Sequence, residues 1–282
     1  MSTLAIVGKL LSESLLSLYP VFVKNIGLPL NLQLWSRTII YVVVALVFCN
    51  LGFVYNYLFI PIGIILGFTN LVHIYTSYRG FQLLESGVAY TLFYTYPMMI
   101  LLLSGKGLNK YILIGFLGAY LLSYDTIFKH ENFEDDKNIE PVRFKYEGLV
   151  MILLAALTEA LIYFQVRKIK TDNNWNHVFL SYFMGMVILT IYIFFFKREV
   201  LVGEHLVRFS WALVINAVIG SLGYYLRFYA ATRIEPSLYA VLSYFGIVMS
   251  FVYGVLINKE DITITKVLGS LLIIISSRFI HY

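Results

Sequence analysis

The sequence predicts an all-α integral membrane protein with ten transmembrane helices, arranged as two inverted five-helix repeats. Three observations carry this expectation. First, 60% of the 282 residues are hydrophobic and only 13% are charged, about half the charge of a soluble domain. Mean hydropathy is +0.79, so a water-soluble fold could not cover its apolar surface. Second, ten stretches approach the roughly 20 apolar residues that a spanning helix needs. Third, residues 129–145 read KHENFEDDKNIEPVRFK, with nine charges and one histidine. Such a run cannot lie in hydrocarbon, where each charge costs several kcal/mol. It divides the chain into a first half, 1–128, a charged linker, 129–145, and a second half, 146–282.

The first half offers spans at 4–24, 32–50, 57–78, 86–103 and 108–128, and the second at 146–167, 176–196, 209–230, 236–257 and 264–280. Glu13 interrupts the first stretch and no small-residue cleavage site follows it, so the expectation is a retained span rather than a signal peptide. Apart from the linker the connections are short, which makes sequential helices antiparallel neighbours. Many of the 23 tyrosines and 22 phenylalanines fall near span ends, as interfacial aromatic belts do.

The halves align with each other. Leu18 to Lys24 runs beside Ile162 to Lys168, and Asn31 to Ser36 beside Asn176 to Ser181. Tyr75 meets Tyr225, Gly80 meets Ala230, Glu85 meets Glu235 and Tyr94 meets Tyr244. The offset drifts from about 144 to about 150, a change that small loop insertions supply. Five spans per half is an odd number, so the second half enters the membrane from the opposite side and the repeats are inverted. With the termini inside, six basic residues fall in the inner loops and six in the short outer loops, and the linker adds four more to the outer side, so the positive-inside rule does not support that orientation and leaves the matter open.

The net charge of +5 is spread over the loops. It gives no footprint for nucleic acid and fits anchoring at anionic lipid surfaces. The single cysteine, Cys49, excludes an intrachain disulfide and a CxxC metal site. There is no HExxH, no GxSxG elbow and no phosphate-binding glycine loop. The expectation is no enzyme, no metal and no cofactor.

The second half contains RFYAATRIEPSLYAVLSYFGIVMSFVYGVLINKEDITITKVLGSLLIIISS over 227–277, and the first half repeats its pattern as YRGFQLLESGVAYTLFYTYPMMILLLSGKG over 78–107. With the PVFVK ending at Lys24, the WSR at 35–37, and Glu260 followed nine residues later by Gly269, the chain resembles the EamA-like branch of the drug/metabolite transporter superfamily. It departs from that pattern in its long charged linker and in having Lys106 or Asn109 where the first half would carry the acidic residue. The resemblance implies ten helices, two inverted repeats, and a central cavity lined by helices one to four and six to nine. It implies a secondary transporter that moves a small polar metabolite by alternating access. An amino-acid-like substrate suits charges of both signs. An anion exchanger for nucleotide-sugars or phosphorylated metabolites would need two cations in the cavity. A scaffold that transports nothing would keep Glu13, Arg37, Glu159 and Arg227 all paired and closed off from water.

The candidate substrate-binding residues are Glu13, Arg37, His73, Tyr94, Glu159, Arg227 and Tyr244. Glu13 and Glu159 lie nine and thirteen residues into oppositely directed spans, roughly 14 and 20 Å from their entry faces at 1.5 Å per residue. Both therefore sit near the midplane, where a charge faces a cavity or a partner. Their functional reading is substrate ammonium binding or proton coupling, and their bland reading is an ion pair with Arg37 or Arg227. Either arginine can bind a carboxylate or phosphate bidentately, or snorkel to the interface. Asn70 and His73 share one helical face, though a lone histidine is more often a packing residue. Asn216 is similar. Tyr94 and Tyr244 are equivalent mid-span tyrosines, each offering a flat face and a hydroxyl. Gly63 and Gly67 form a GxxxG that reads as internal packing. Asp125, Arg278 and His281 are expected at the interface. Pro20 removes a backbone hydrogen bond one turn beyond Ser17, which can kink the first span.

Overall fold

The computed structural model describes residues 3–104, 142–197 and 203–279, with 114, 117, 118, 120 and 121 between them. Every regular element among them is helical. The linker up to residue 141, most of the fifth stretch, and Lys106, Asn109, Asp125 and His281 lie outside the described residues.

The first stretch is two helices, α1 (Thr3–Leu16) and α2 (Tyr19–Asn25). The break falls where expected: Pro20 has no N–H for the carbonyl of Leu16, and Leu18 N turns back to Leu15 O at 3.3 Å. Helix α3 (Leu30–Phe48) follows a turn in which Gly27 adopts φ +64°, a left-handed conformation open to glycine. Asn50 caps α4 (Leu51–Leu58), its side chain accepting from Phe53 N. Helix α5 (Pro61–Leu83) starts on a proline, whose missing N–H costs nothing at a helix start, and turns 87° away from α4. The third span therefore begins four residues later than the apolar pattern suggests, and Tyr57 belongs to α4. The fourth stretch divides into α6 (Ser86–Phe93) and α7 (Tyr96–Leu103) around Pro97.

In the second half, α8 is Val142–Lys168 and α9 is Asn174–Ile191, prolonged by a π-helical turn at Tyr192–Lys197. Helices α10 (Gly203–Ile215) and α11 (Leu222–Arg233) are joined through a π-helical segment, Asn216–Ser221. Then come α12 (Pro236–Ser243), α13 (Phe245–Asn258) and α14 (Ile264–Phe279). The α12–α13 break falls at Tyr244, the position aligned with the α6–α7 break at Tyr94. Matched backbone bonds precede both breaks. Leu84 N donates to Gly80 O at 3.1 Å and Ile234 N to Ala230 O at 2.9 Å. Ala89 N donates to Glu85 O at 2.8 Å and Tyr239 N to Glu235 O at 2.9 Å.

Among the described residues five helical stretches are long and apolar enough to cross a membrane, and a sixth if α4 and α5 count as one span. Part of the difference from ten is physical: the breaks at Tyr94 and Tyr244 cut two stretches into short helices, and α14 has 16 residues. The fifth stretch lies largely outside the described residues.

Small residues let the helices approach. A Cβ on Gly67 would meet the Met184 side chain at 2.7 Å, and one on Gly80 would meet Ile152 at 3.1 Å. The Gly63–Gly67 pair thus packs within the chain, Gly67 against α9. Helix α1 lies on α11, with Ser12 Oγ donating to Gly223 O at 2.8 Å. The interior between these packed helices is polar.

Candidate functional site

The buried polar centre is built outward from α1. Lys9 and Glu13 are four residues apart, so they share a helix face. Both are fully buried and form an ion pair. Arg227, on α11, reaches across with Nη2 at 3.2 Å from Glu13 Oε2, while its Nη1 donates to Glu159 Oε1 on α8 at 2.8 Å. Two cations and two carboxylates are thus interleaved as Lys9, Glu13, Arg227, Glu159. They cancel, which is the condition for charges to persist away from water. Tyr94 donates its hydroxyl to Glu13. Lys9 Nζ donates to Tyr96 OH at 3.4 Å and stands 3.6 Å above the ring of Tyr239. The break after α6 places Tyr94, and the break before α13 places Tyr244. Their ring centroids lie 6.3 Å apart, with the ring planes tilted by 53°.

His73, on α5, extends the cluster. Its Nδ1 is 3.1 Å from Ala155 O, a group that only accepts, so Nδ1 carries the proton. Nε2 then accepts from Tyr224 OH at 3.2 Å. It also lies 3.3 Å from Glu159 Oε2, an oxygen without a hydrogen-bond partner among the described residues. A second proton on His73 would be shared with that oxygen.

Arg37, on α3, sits apart. Among the described residues it meets no carboxylate. Its guanidinium lies 4.6–5.6 Å from the ring centroids of Tyr19, Tyr41, Tyr78, Tyr182 and Tyr224, and Nη2 donates to Tyr182 OH at 2.9 Å. Tyr19 OH bonds Tyr41 OH and Asn216 Oδ1, both at 2.7 Å. The π-helical segment presents Asn216 there and sets Gly220 against the same two hydroxyls. Between Arg37 and Arg227 lies a cavity of about 20 Å³, lined also by His73, Tyr90 and Tyr224.

All seven candidate residues are therefore buried around one centre. Arg37 is separated from the others by tyrosines. Asn70 points elsewhere, to Ser181 O at 3.0 Å. A scaffold would have all four charges paired; Glu13, Glu159 and Arg227 are paired, and Arg37 meets no carboxylate among the described residues. Sequence reasoning missed Lys9. Its signal was present in the four-residue spacing to Glu13, but nine residues from the start it reads as a flanking charge. Tyr96, Tyr182 and Tyr224 carried no signal that set them apart from the other tyrosines.

Both ends of the packed helices are latched. Glu260, in the α13–α14 connection, accepts from Ser86 N at 2.7 Å and Gly87 N at 3.2 Å, capping α6, and lies 3.7 Å from Lys24. Burial alone would raise its carboxyl pKa; the Ser86 and Gly87 donors and Lys24 outweigh that and hold it below the ordinary value. Asn25 and Asn258 close the same end at 2.6 Å. At the other end Asn176 Oδ1 accepts from Asn50 N at 2.8 Å, and Asn173 Nδ2 donates to Phe48 O at 2.7 Å.

An all-helical chain of several apolar spans around a charge-balanced polar centre is a multi-pass integral membrane protein. Residues 147–282, just under half of the chain, match the model of the EamA-like transporter family, so the second half is similar to the membrane transporters of that family. The "Uncharacterized transporter YoaV" of Bacillus subtilis (strain 168) is 27% identical over 206 residues, covering 69% of this chain and 66% of that protein. A solved structure described only as the crystal structure of a protein superposes with TM-score 0.60 over 98% of this chain and 94% of its own, at 15% identity, a likeness of fold alone.

Proposed function

We propose that this chain is a secondary transporter that carries a small polar, amino-acid-like metabolite by alternating access, through ten spans arranged as inverted repeats 1–128 and 146–282. The observation that carries this reading is the buried quartet of Lys9, Glu13, Arg227 and Glu159, held at the level where the helices break. Charges in a membrane interior mark a solute or proton pathway, and repeat-built transporters place their site at interrupted helices. The matched backbone bonds at offset 150 support the repeat, as does the contact between the aligned Tyr94 and Tyr244. Inverted repeats bring equivalent residues together near their two-fold axis.

Glu13, Arg37, His73, Tyr94, Glu159, Arg227 and Tyr244 form the site in this reading. Arg227 is already neutralised by two carboxylates, so the phosphorylated-anion alternative lacks its second free cation. A substrate ammonium would compete with Arg227 or Lys9 for a carboxylate, and Glu13 would carry a coupled proton. The two latches are the ends that open in turn. The test is solute exchange in proteoliposomes, with candidates chosen by thermal shift on the purified protein, since ligands raise the stability of the state they bind. Exchange of a zwitterionic metabolite, lost in Arg227→Gln, is expected. Stabilisation and exchange only by nucleotide-sugars or phosphorylated compounds would overturn the substrate class.

A further inference from the structure

We propose that the cavity between Arg37 and Arg227 is a subsite for one singly charged anionic group, either a free small anion or the carboxylate of a carried solute. The charge count leads there. Lys9 and Arg227 offset Glu13 and Glu159, so Arg37 alone has no carboxylate partner among the described residues. Tyrosine faces temper its charge but leave one positive charge uncancelled in a dry interior, and one negative charge would complete the balance.

The hydrogen-bond inventory agrees with the charge count. Arg37 Nε, Arg227 Nε and the hydroxyl of Tyr90 are buried without hydrogen-bond partners among the described residues, and all three residues line the cavity. Guanidinium nitrogens only donate, so what satisfies them must accept. A cation has no place there, because the five-ring cage already holds Arg37. Size sets the upper limit. About 20 Å³ holds little more than a water. A halide or the end of a carboxylate suits it, whereas a phosphate or sulfate is too large and carries a second charge.

In its carboxylate form the subsite rests on the transporter reading; as a free-anion site it does not. The experiment is thermal unfolding of purified protein, titrated with sodium chloride and sodium acetate against sodium sulfate of equal ionic strength. Saturable stabilisation by chloride alone identifies a free-anion site. Stabilisation by acetate alone identifies a carboxylate site, and mutual competition identifies one site that takes both. In each case Arg37→Gln should abolish the response. Tyr90→Phe keeps both arginines and removes one donor, so it should weaken the response several-fold even if Arg37→Gln folds poorly. The proposal is overturned if neither salt acts saturably, if sulfate acts as well as they do, or if Tyr90→Phe titrates like the wild type. Saturable binding in a protein that exchanges no solute would refute the transporter reading and leave the anion site standing.

Discussion

Replacing Arg227 by Gln tests the electrostatics of the buried centre. The guanidinium bonds Glu159 at 2.8 Å and Glu13 at 3.2 Å, and without it two carboxylates share Lys9 alone. A unit charge pair at about 4 Å in a medium of effective dielectric about 20 attracts by about 4 kcal/mol. Removing one partner of such a buried pair costs about 3–5 kcal/mol, because the other charge is left uncompensated. At roughly 2–4 °C per kcal/mol for a chain of this size, the thermal midpoint should fall by roughly 6–20 °C. Adding Glu159→Gln restores charge balance around Lys9 and Glu13, so the double variant should recover at least half of that loss, a coupling of about 2 kcal/mol. Scanning fluorimetry on detergent-purified single and double variants reads both quantities. A fall under 2 °C for Arg227→Gln, or no recovery in the double variant, would show that water reaches these charges and that the balance argument is wrong.

Other outcomes follow from the same geometry. Glu260 has a lowered folded-state pKa, so its contribution is present above the ordinary carboxylate pKa of about 4.3 and is lost as pH falls through the lowered value. Glu260→Ala should cost about 2 kcal/mol at neutral pH, the scale of a charge-assisted bond, and the gap from wild type should narrow below about pH 4 in pH-dependent melting. Gly220→Ala would drive a Cβ into the hydroxyls of Tyr19 and Tyr41. It should therefore destabilise by about 1–3 kcal/mol and disturb the Arg37 cage, read as a change in tyrosine fluorescence. Gly246→Ala would press on Tyr94 and the Glu13 carboxylate and should impair exchange more than it lowers the melting point.

Much of the buried centre was legible because charge is rare in this chain. Glu13, Glu159 and Arg227 stand out against apolar neighbours, and a membrane interior leaves them little choice but to meet. Lys9 did not stand out, because a cation near a chain start has an easy route to the interface. The aromatic cage was illegible for the opposite reason: with 23 tyrosines, no composition rule separates a cage from a belt. A helix break was legible at Pro20, whereas the fourth stretch reads as one unbroken span despite Pro97. The break at Tyr244 was not, since no proline marks it and only its alignment with Tyr94 hints at it. The α4–α5 corner was hidden because apolar residues run through it without interruption, and hydropathy does not register a change of direction. Glu260 was noted through its spacing to Gly269; its action, capping α6 from another part of the chain, is a tertiary fact.

Proton-driven accumulation tests the central proposal most directly. Wild type, Glu13→Gln and Glu159→Gln are reconstituted side by side, and uptake of an exchanged solute is followed with and without an imposed pH gradient. The account predicts that the gradient drives accumulation in wild type, and that Glu13→Gln loses this response while retaining exchange. A gradient response unchanged in both variants would remove the buried carboxylates from the transport mechanism.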